Sequence, residues 1–205
     1  MSSTLIIDNH YFPCINYLKM LLGYQYVNLE LYENYQKNSF RNRCVVAGSN
    51  GLINLSIPLV NGRDQRVAYR HLKVDNSQAW QVQHWRTITS CYQKAPFFEY
   101  YAPGVEALLN GGYEQLFDLN LAILTWLKKV LKLPVVLQTT ADYLNHYPEE
   151  TITDARNRWQ PKNFQQASAE SGLAPYFQLF EDRIGFQPNL SILDLLFCAG
   201  PHALK

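Results

Sequence analysis

Four short phrases in this 205-residue chain carry residue types that chemistry uses. The first is Asp8-Asn9-His10-Tyr11-Phe12-Pro13, between an apolar run and a helix-like stretch. In open α/β sheets ligands bind at the carboxyl ends of strands, and a helix N-terminus there favours anions. His10 can serve as a general acid, a general base or a donor to a phosphate, with Tyr11 as a substrate contact. The plainer reading is a turn whose Tyr11 and Phe12 close the core. The second phrase is Arg41-Asn42-Arg43. Two guanidinium groups flanking an amide hold phosphate or carboxylate oxygens by forked hydrogen bonds, and strand alternation would put Arg41 and Arg43 on one face. The competing readings are a solvent-facing pair or internal salt bridges. The third is His84-Trp85-Arg86 with Lys94. Trp85 falls on an apolar helical stripe and reads as core. His84 is either a ligand contact or a structural or surface residue. The fourth is Asn189-Leu190-Ser191-Ile192-Leu193-Asp194, with Asn189 and Ser191 as substrate contacts and Asp194 as a catalytic carboxylate. Ser191 and Asp194 also have capping-box spacing, a complete structural explanation. A serine nucleophile would need a nearby base, which spacing cannot show.

The chain has no GxGxxG, GxxxxGK[ST], HExxH or GxSxG, so the common nucleotide, metalloprotease and hydrolase signatures are missing. Cys14, Cys44, Cys91 and Cys198 form no CxxC pair. Cys198 and His202 have helical metal-ligand spacing but no second ligand pair, and scattered cysteines read as buried small hydrophobes in a reducing compartment. The expectation is no metal, with any cofactor unknown.

The elements that must position these phrases follow from patterning. Thr4-Leu5-Ile6-Ile7-Asp8 reads as a buried strand, residues 15–22 as a helix stopping at Gly23, and 26–31 as a second strand. That strand–loop–helix–strand unit predicts a parallel pair. Residues 44–47 and 52–59 flank the turn Gly48-Ser49-Asn50-Gly51 as a hairpin; Asn61-Gly62 marks another turn, and 67–74 reads as a further strand of a β-meander. Asn76 or Ser77 would cap a helix to Tyr92. A helix over 97–109 should break or kink at Pro103-Gly104. Residues 113–133 give the strongest helical stripe, on which Asn120 needs buried partners, most simply backbone groups. Residues 135–137 read as a short strand, 147–175 as polar and loop-rich, 176–180 as a strand and 189–197 as a final helix. The fold class is therefore α/β: a single domain over residues 1–205 with a partly parallel sheet, the N-terminal unit, a β-meander and C-terminal helices.

Net charge is +1, which argues against wholesale nucleic-acid binding. From Lys37 to Lys73 seven basic residues face one acidic residue, Asp64, a segment charge of +6 that leaves −5 for the remainder. That asymmetry points to an anionic small-molecule ligand near this segment, or to a solvated face. The 14 tyrosines suit wet clefts and interfaces as well as cores. No basic leader with an apolar run and no membrane-length apolar stretch is visible, so the chain reads as soluble and cytoplasmic, without membrane insertion. Oligomeric state is open.

Tyr11-Phe12-Pro13, Asn42-Arg43, His84-Trp85-Arg86, Lys94-Ala95-Pro96, Phe98-Glu99-Tyr100-Tyr101, Asn120-Leu121 and the run from Asn189 to Phe197 with Gly200-Pro201 occur in order over nearly the whole chain. Together they resemble the WbqC-like family. The resemblance implies a bacterial protein from among genes for surface polysaccharide (O-antigen) synthesis, with a transferase role such as glycine or other acyl transfer. The chain departs from the family pattern in two places. Asp8 and Asn9 stand where the family loop reads Gln-Pro, and Cys14 stands where Trp is frequent. The segment 147–175 is short where longer members carry a further α/β stretch with a Ser-Gly loop.

The leading expectation is a transferase acting on an activated anionic small molecule, with His10 and Asp194 as catalytic residues and Tyr11, Arg41, Asn42, Arg43, His84, Asn189 and Ser191 binding substrate. A second is nucleotidyl transfer: the opening unit is similar to the start of HIGH-type nucleotidyltransferases, with one histidine in the loop and no following Gly-His. A third is a non-catalytic binding or scaffold protein in the same pathway.

Overall fold

The run Leu5-Ile6-Ile7 shows no polar alternation because both faces of its strand are covered; all three side chains are buried. In the computed structural model, which describes residues 4–62, 65–164 and 174–204, this run is β1 (Thr4–Ile7), next to the centre line of a four-stranded parallel sheet. It is followed by α1 (Ile15–Leu21) and β2 (Tyr26–Leu29), and β1 pairs with β2 in parallel with Thr4 opposite Tyr26. The expected strand–loop–helix–strand unit is thus present. The sheet order is β5-β2-β1-β6, with β5 (Val136–Thr139) and β6 (Ile152–Asp154) as edges, both pairing in parallel.

Between β2 and β5 the chain makes an antiparallel hairpin, β3 (Arg43–Gly48) and β4 (Gly51–Ser56), then three helices: α2 (Trp80–Tyr92), α3 (Phe98–Leu109) and α4 (Leu116–Leu131). After β6 come α5 (Glu181–Ile184), α6 (Ile192–Ala199) and a closing 3₁₀ turn, Pro201–Leu204. Buried side chains from the sheet, the hairpin and the longer helices join one hydrophobic core. The fold is α/β, and among the described residues no helix is long and apolar enough to cross a membrane.

Several local expectations are corrected. The meander is a single hairpin. Residues 67–74 bond in turn to Asn34, Gln115 and Leu59 through isolated bridges at Ala68, Lys73 and Val74, so no continuous ladder forms and Tyr69–His71 closes into a 3₁₀ turn. Residues 176–180 form no strand, because the Gln178 side chain takes the place of ladder bonds by pairing with the Gln187 backbone. The polar stretch 147–175 contains β6, whose short sequence carries no apolar alternation because it is an edge strand. Helix α2 starts at Trp80, since Asp75 folds residues 75–78 into a turn by accepting from the Ser77 N–H and Gln78. Helix α3 runs unbroken through Pro103; packing of Tyr101, Ala102, Val105, Leu108 and Leu109 outweighs one lost hydrogen bond. Gly104 lets Trp126 pack close to the helix, since a Cβ there would stand 2.6 Å from Trp126 Nε1 and the ring would have to shift. Arg63 and Asp64 of the basic segment, and 165–173 of the polar segment, lie outside the described residues.

Candidate functional site

Parallel strands deliver their carboxyl ends to one edge of the sheet, and here each strand ends in or is followed by a polar residue. Asp8 follows β1, Glu30 follows β2, Thr140 follows β5, and Asp154 ends β6 ahead of Arg156 and Asn157. The Thr140 hydroxyl donates to Glu30 Oε1 at 3.1 Å. Asn157 has a left-handed backbone (φ 58°), a conformation asparagine tolerates better than most residues. Its N–H donates to Asp8 Oδ1 at 2.9 Å, its Nδ2 donates to Glu33 Oε1 at 2.7 Å, and its Oδ1 accepts from Arg41 at 3.2 Å.

His10 Nε2 is 2.6 Å from Asp8 Oδ2. The imidazole lies between Tyr17 and Phe40, at 4.7 and 5.8 Å between ring centroids. Arg41 is fully buried, ion-paired to Glu33, with Nη2 4.0 Å from Asp8. Burial alone would push the Asp8 carboxyl up. The charges of His10 and Arg41, with hydrogen bonds from His10 and the Asn157 N–H, override it and hold Asp8 well below the usual carboxylate range. Asn120 projects from α4 into the same cluster, donating to the Arg41 carbonyl at 2.7 Å and to the Tyr69 hydroxyl at 2.8 Å. Its expected backbone partners are therefore present. Several buried polar atoms here have no partner: both amide atoms of Asn9, His10 Nδ1, Arg41 Nε and Asn120 Oδ1.

An open cleft of about 330 Å³ lies against this cluster, lined by Glu33, Tyr143, Asp154, Arg156 and Asn157. Arg156 is stacked between Tyr143 and Tyr147, its Cζ 5.0 Å from each ring centroid, and it bonds Asp154, Glu30 and the Leu144 and Asn145 carbonyls. Glu33 and Asn157 belong to both cleft and cluster, so they form the wall between solvent and the His10–Asp8 pair. Chemically, the arrangement can hold a proton on a buried histidine–carboxylate pair and neutralise charge beside it with Arg41.

The remaining sequence-selected residues lie elsewhere. Arg43 donates to Ser56 Oγ at 3.2 Å, while Asn42 bonds the Ile57 carbonyl at 2.9 Å. Arg41, just outside β3, does not share a site with Arg43. Tyr11 and His84 pair with each other at 2.8 Å, and burial holds the His84 imidazole down at about 4. Asp194 accepts from Tyr92 at 2.9 Å, Tyr176 at 2.6 Å and Gln178 at 2.9 Å, with burial pushing its carboxyl up against those bonds. It does not complete a capping box: Ser191 Oγ accepts from the Leu193 N–H, while the Ser191 N–H goes to the Val45 carbonyl.

The first and last phrases do converge, as a mutual cap. Ile15 N–H donates to the Leu190 carbonyl, Ile192 N–H to the Pro13 carbonyl, Asn16 N–H to Asn189 Oδ1, and Ser191 Oγ to the Phe12 carbonyl. The N-terminus of α1, expected to attract an anion, is therefore filled by the chain itself. A cavity of about 10 Å³, the size of one water, remains between Tyr11, Phe12, Asn189 and Ser191.

All four cysteines are free and buried, and burial pushes the Cys14 and Cys198 thiols up to about 12, so none is set up as a nucleophile. Among the described residues no three His, Cys, Asp or Glu side chains converge as a metal set.

Sequence reasoning passed over Glu33, Asn157 and Arg156. The legible signal was positional: a polar residue at or just past the end of each strand of a parallel sheet. It could not be used for β6, whose existence was not apparent.

The chain is 26% identical to the Uncharacterized protein Rv1507c of Mycobacterium tuberculosis over 228 aligned residues, covering 99% of this chain and 96% of that protein. No solved structure matches it. The model of the WbqC-like protein family matches residues 9–160, spanning the His10 loop, the Arg41 segment, α2 to α4 and Asn157. On that match the chain belongs to the WbqC-like protein family.

Proposed function

We propose that the protein is a transferase, moving an acyl, aminoacyl or sugar-related group from an activated anionic small molecule in bacterial surface-polysaccharide synthesis. The observation that supports this most is the convergence of Asp8, His10, Arg41 and Asn157 at the carboxyl edge of the parallel sheet, beside an open polar cleft. In this reading the acceptor's hydroxyl or amine enters the cleft and attacks the donor's activated carbon. His10, oriented by Asp8, takes the proton from the nucleophile, and the leaving group departs with its bonding pair. Arg41, buried behind Glu33, offsets the negative charge that develops. Asn157 moves aside to admit the acceptor. Tyr11, His84, Asn189 and Ser191 frame the loop that carries His10, Asn42 ties the neighbouring chain to Ile57, and Asp194 anchors α6 behind the loop.

Calorimetric titration with a panel of nucleotide-sugars and acyl donors tests the reading. The expected result is saturable binding of one donor class, with turnover lost and donor binding retained in His10→Gln. If no donor binds the wild type, or if His10→Gln turns over normally, the reading fails.

A second reading, a non-catalytic binding protein, is favoured by one observation: the His10 side chain is closed off from solvent by its own partners. It expects ligand binding with no turnover under any donor–acceptor pair. Nucleotidyl transfer is not carried further, because the α1 N-terminus that would receive the phosphates is capped by Asn189 and Leu190.

A further inference from the structure

At the far end of α4 from Asn120 the surface opens into a cavity of about 590 Å³, within the range of small-molecule sites. Lys129 and Lys132 lie nine or more residues beyond Asn120, about 13 Å or more along the helix axis, so this cavity is separate from the His10 cluster. Its lining combines aromatic faces with basic side chains: Phe97, Tyr100, Trp126, Lys129, Lys132 and His202 all contribute, and no carboxylate does. Tyr100 is 79% exposed, an unusual cost for so large a ring, and stands edge-on to Tyr101 at 4.8 Å. Trp126 packs against α3 at Gly104, where a Cβ would stand 2.6 Å from its Nε1. Neither Lys129 nor Lys132 pairs with a carboxylate among the described residues. Lys132 ends α4 in the left-handed conformation (φ 52°), where glycine or asparagine is favoured.

The lysines have an ordinary role as well, since cations in the last turn offset the helix dipole. That role explains the charge. It does not explain an open cavity walled by aromatic rings, nor the exposure of Tyr100. Rings that accept a flat partner, beside cations without partners, match a ligand with a planar ring and an attached anion.

We propose that this cavity binds a nucleoside diphosphate, with the base against Tyr100 and Trp126 and the phosphates on Lys129 and Lys132. The proposal does not rest on the transferase reading and uses none of its residues.

The test is calorimetry on the full chain with uridine diphosphate and adenosine diphosphate, alongside uridine and inorganic pyrophosphate, at low and high salt. Saturable binding of at least one diphosphate is expected, about tenfold or more tighter than binding of uridine or pyrophosphate. Binding should weaken with salt because the phosphates contact exposed lysines. Tyr100→Ala and the double variant Lys129→Ala/Lys132→Ala should each weaken it about tenfold or more, with the fold retained because all three side chains are exposed and the lysines give up only their small contribution to the helix dipole. His10→Gln should leave it unchanged. Absence of saturable binding to the wild type overturns the proposal. So does pyrophosphate binding as tightly as the diphosphates, which would mean a charge patch only, or affinity that survives both sets of variants.

Discussion

The Asn16 N–H donates to Asn189 Oδ1 at 2.9 Å, so the first turn of α1 is capped by a residue 173 positions away. Cys14, at the N-cap position of α1, provides no side-chain acceptor. The cap has a counterpart: Phe12 and Asn189, each two residues before the bridged pair Cys14 and Ser191, both hold left-handed backbones at φ 37° and 57°. A bulky residue such as Phe12 is disfavoured there, and the reciprocal bonds between the two helix starts hold it in place.

Removing that cap destabilises two helices together. Asn189→Ala is expected to cost about 2 kcal/mol, through the lost acceptor for Asn16 and the lost donor to the Phe164 carbonyl at 2.7 Å. Asn189→Asp keeps the first and loses the second, so urea denaturation should place it between wild type and Asn189→Ala.

Arg41 neutralises carboxylates that burial would otherwise leave alone. Arg41→Met leaves Glu33 and Asp8 without their cation and should cost about 3–5 kcal/mol. Adding Glu33→Gln to that variant removes one orphaned charge and should restore part of the loss, a positive coupling measured by a double-mutant cycle.

Asn157 does two jobs that separate by substitution. Asn157→Gly retains the left-handed backbone and loses the amide links to Glu33 and Arg41; Asn157→Ala loses both. Thermal denaturation should show Asn157→Ala lower than Asn157→Gly by about 1 kcal/mol. Equal losses would mean that the backbone conformation contributes nothing.

His84 sets an acid limb. Its folded pKa lies at about 4, below the ordinary 6.5, because burial disfavours the charged ring. Between those values the unfolded chain binds a proton that the folded protein does not. Stability therefore falls as pH falls from 6.5 to about 4, by roughly 3 kcal/mol, and is unaffected by His84 above 6.5. Asp8, whose folded pKa is depressed, contributes stability present above 3.8 that is lost only as pH falls below that value. The two windows do not overlap. Denaturation midpoints at pH 7 and 4.5 should differ less in His84→Gln than in wild type, while Asp8→Asn should lower stability throughout the range above pH 3.8 and flatten its pH dependence only below that value.

Local chemistry in the sequence determined a good part of this molecule. The unalternating Leu5-Ile6-Ile7 and the turn at Gly48-Ser49-Asn50-Gly51 identify strands because their patterns meet burial and turn requirements within a few residues. The ordered phrases around Tyr11, Arg43 and His84 fall within residues 9–160, which the family model matches. What only the tertiary structure decided is which polar side chains meet. Arg41 and Arg43 are two residues apart and part company, because β3 begins at Arg43 while Arg41 turns inward to Glu33. Asn157 and Asp8 are 149 residues apart and bond, because β6 adds beside β1. Edge strands such as β6 are specified by their neighbour's unpaired backbone groups, which leave no periodic mark in their own sequence. A polar cluster built from the ends of parallel strands is likewise a property of strand order, and strand order is fixed by packing across the whole core.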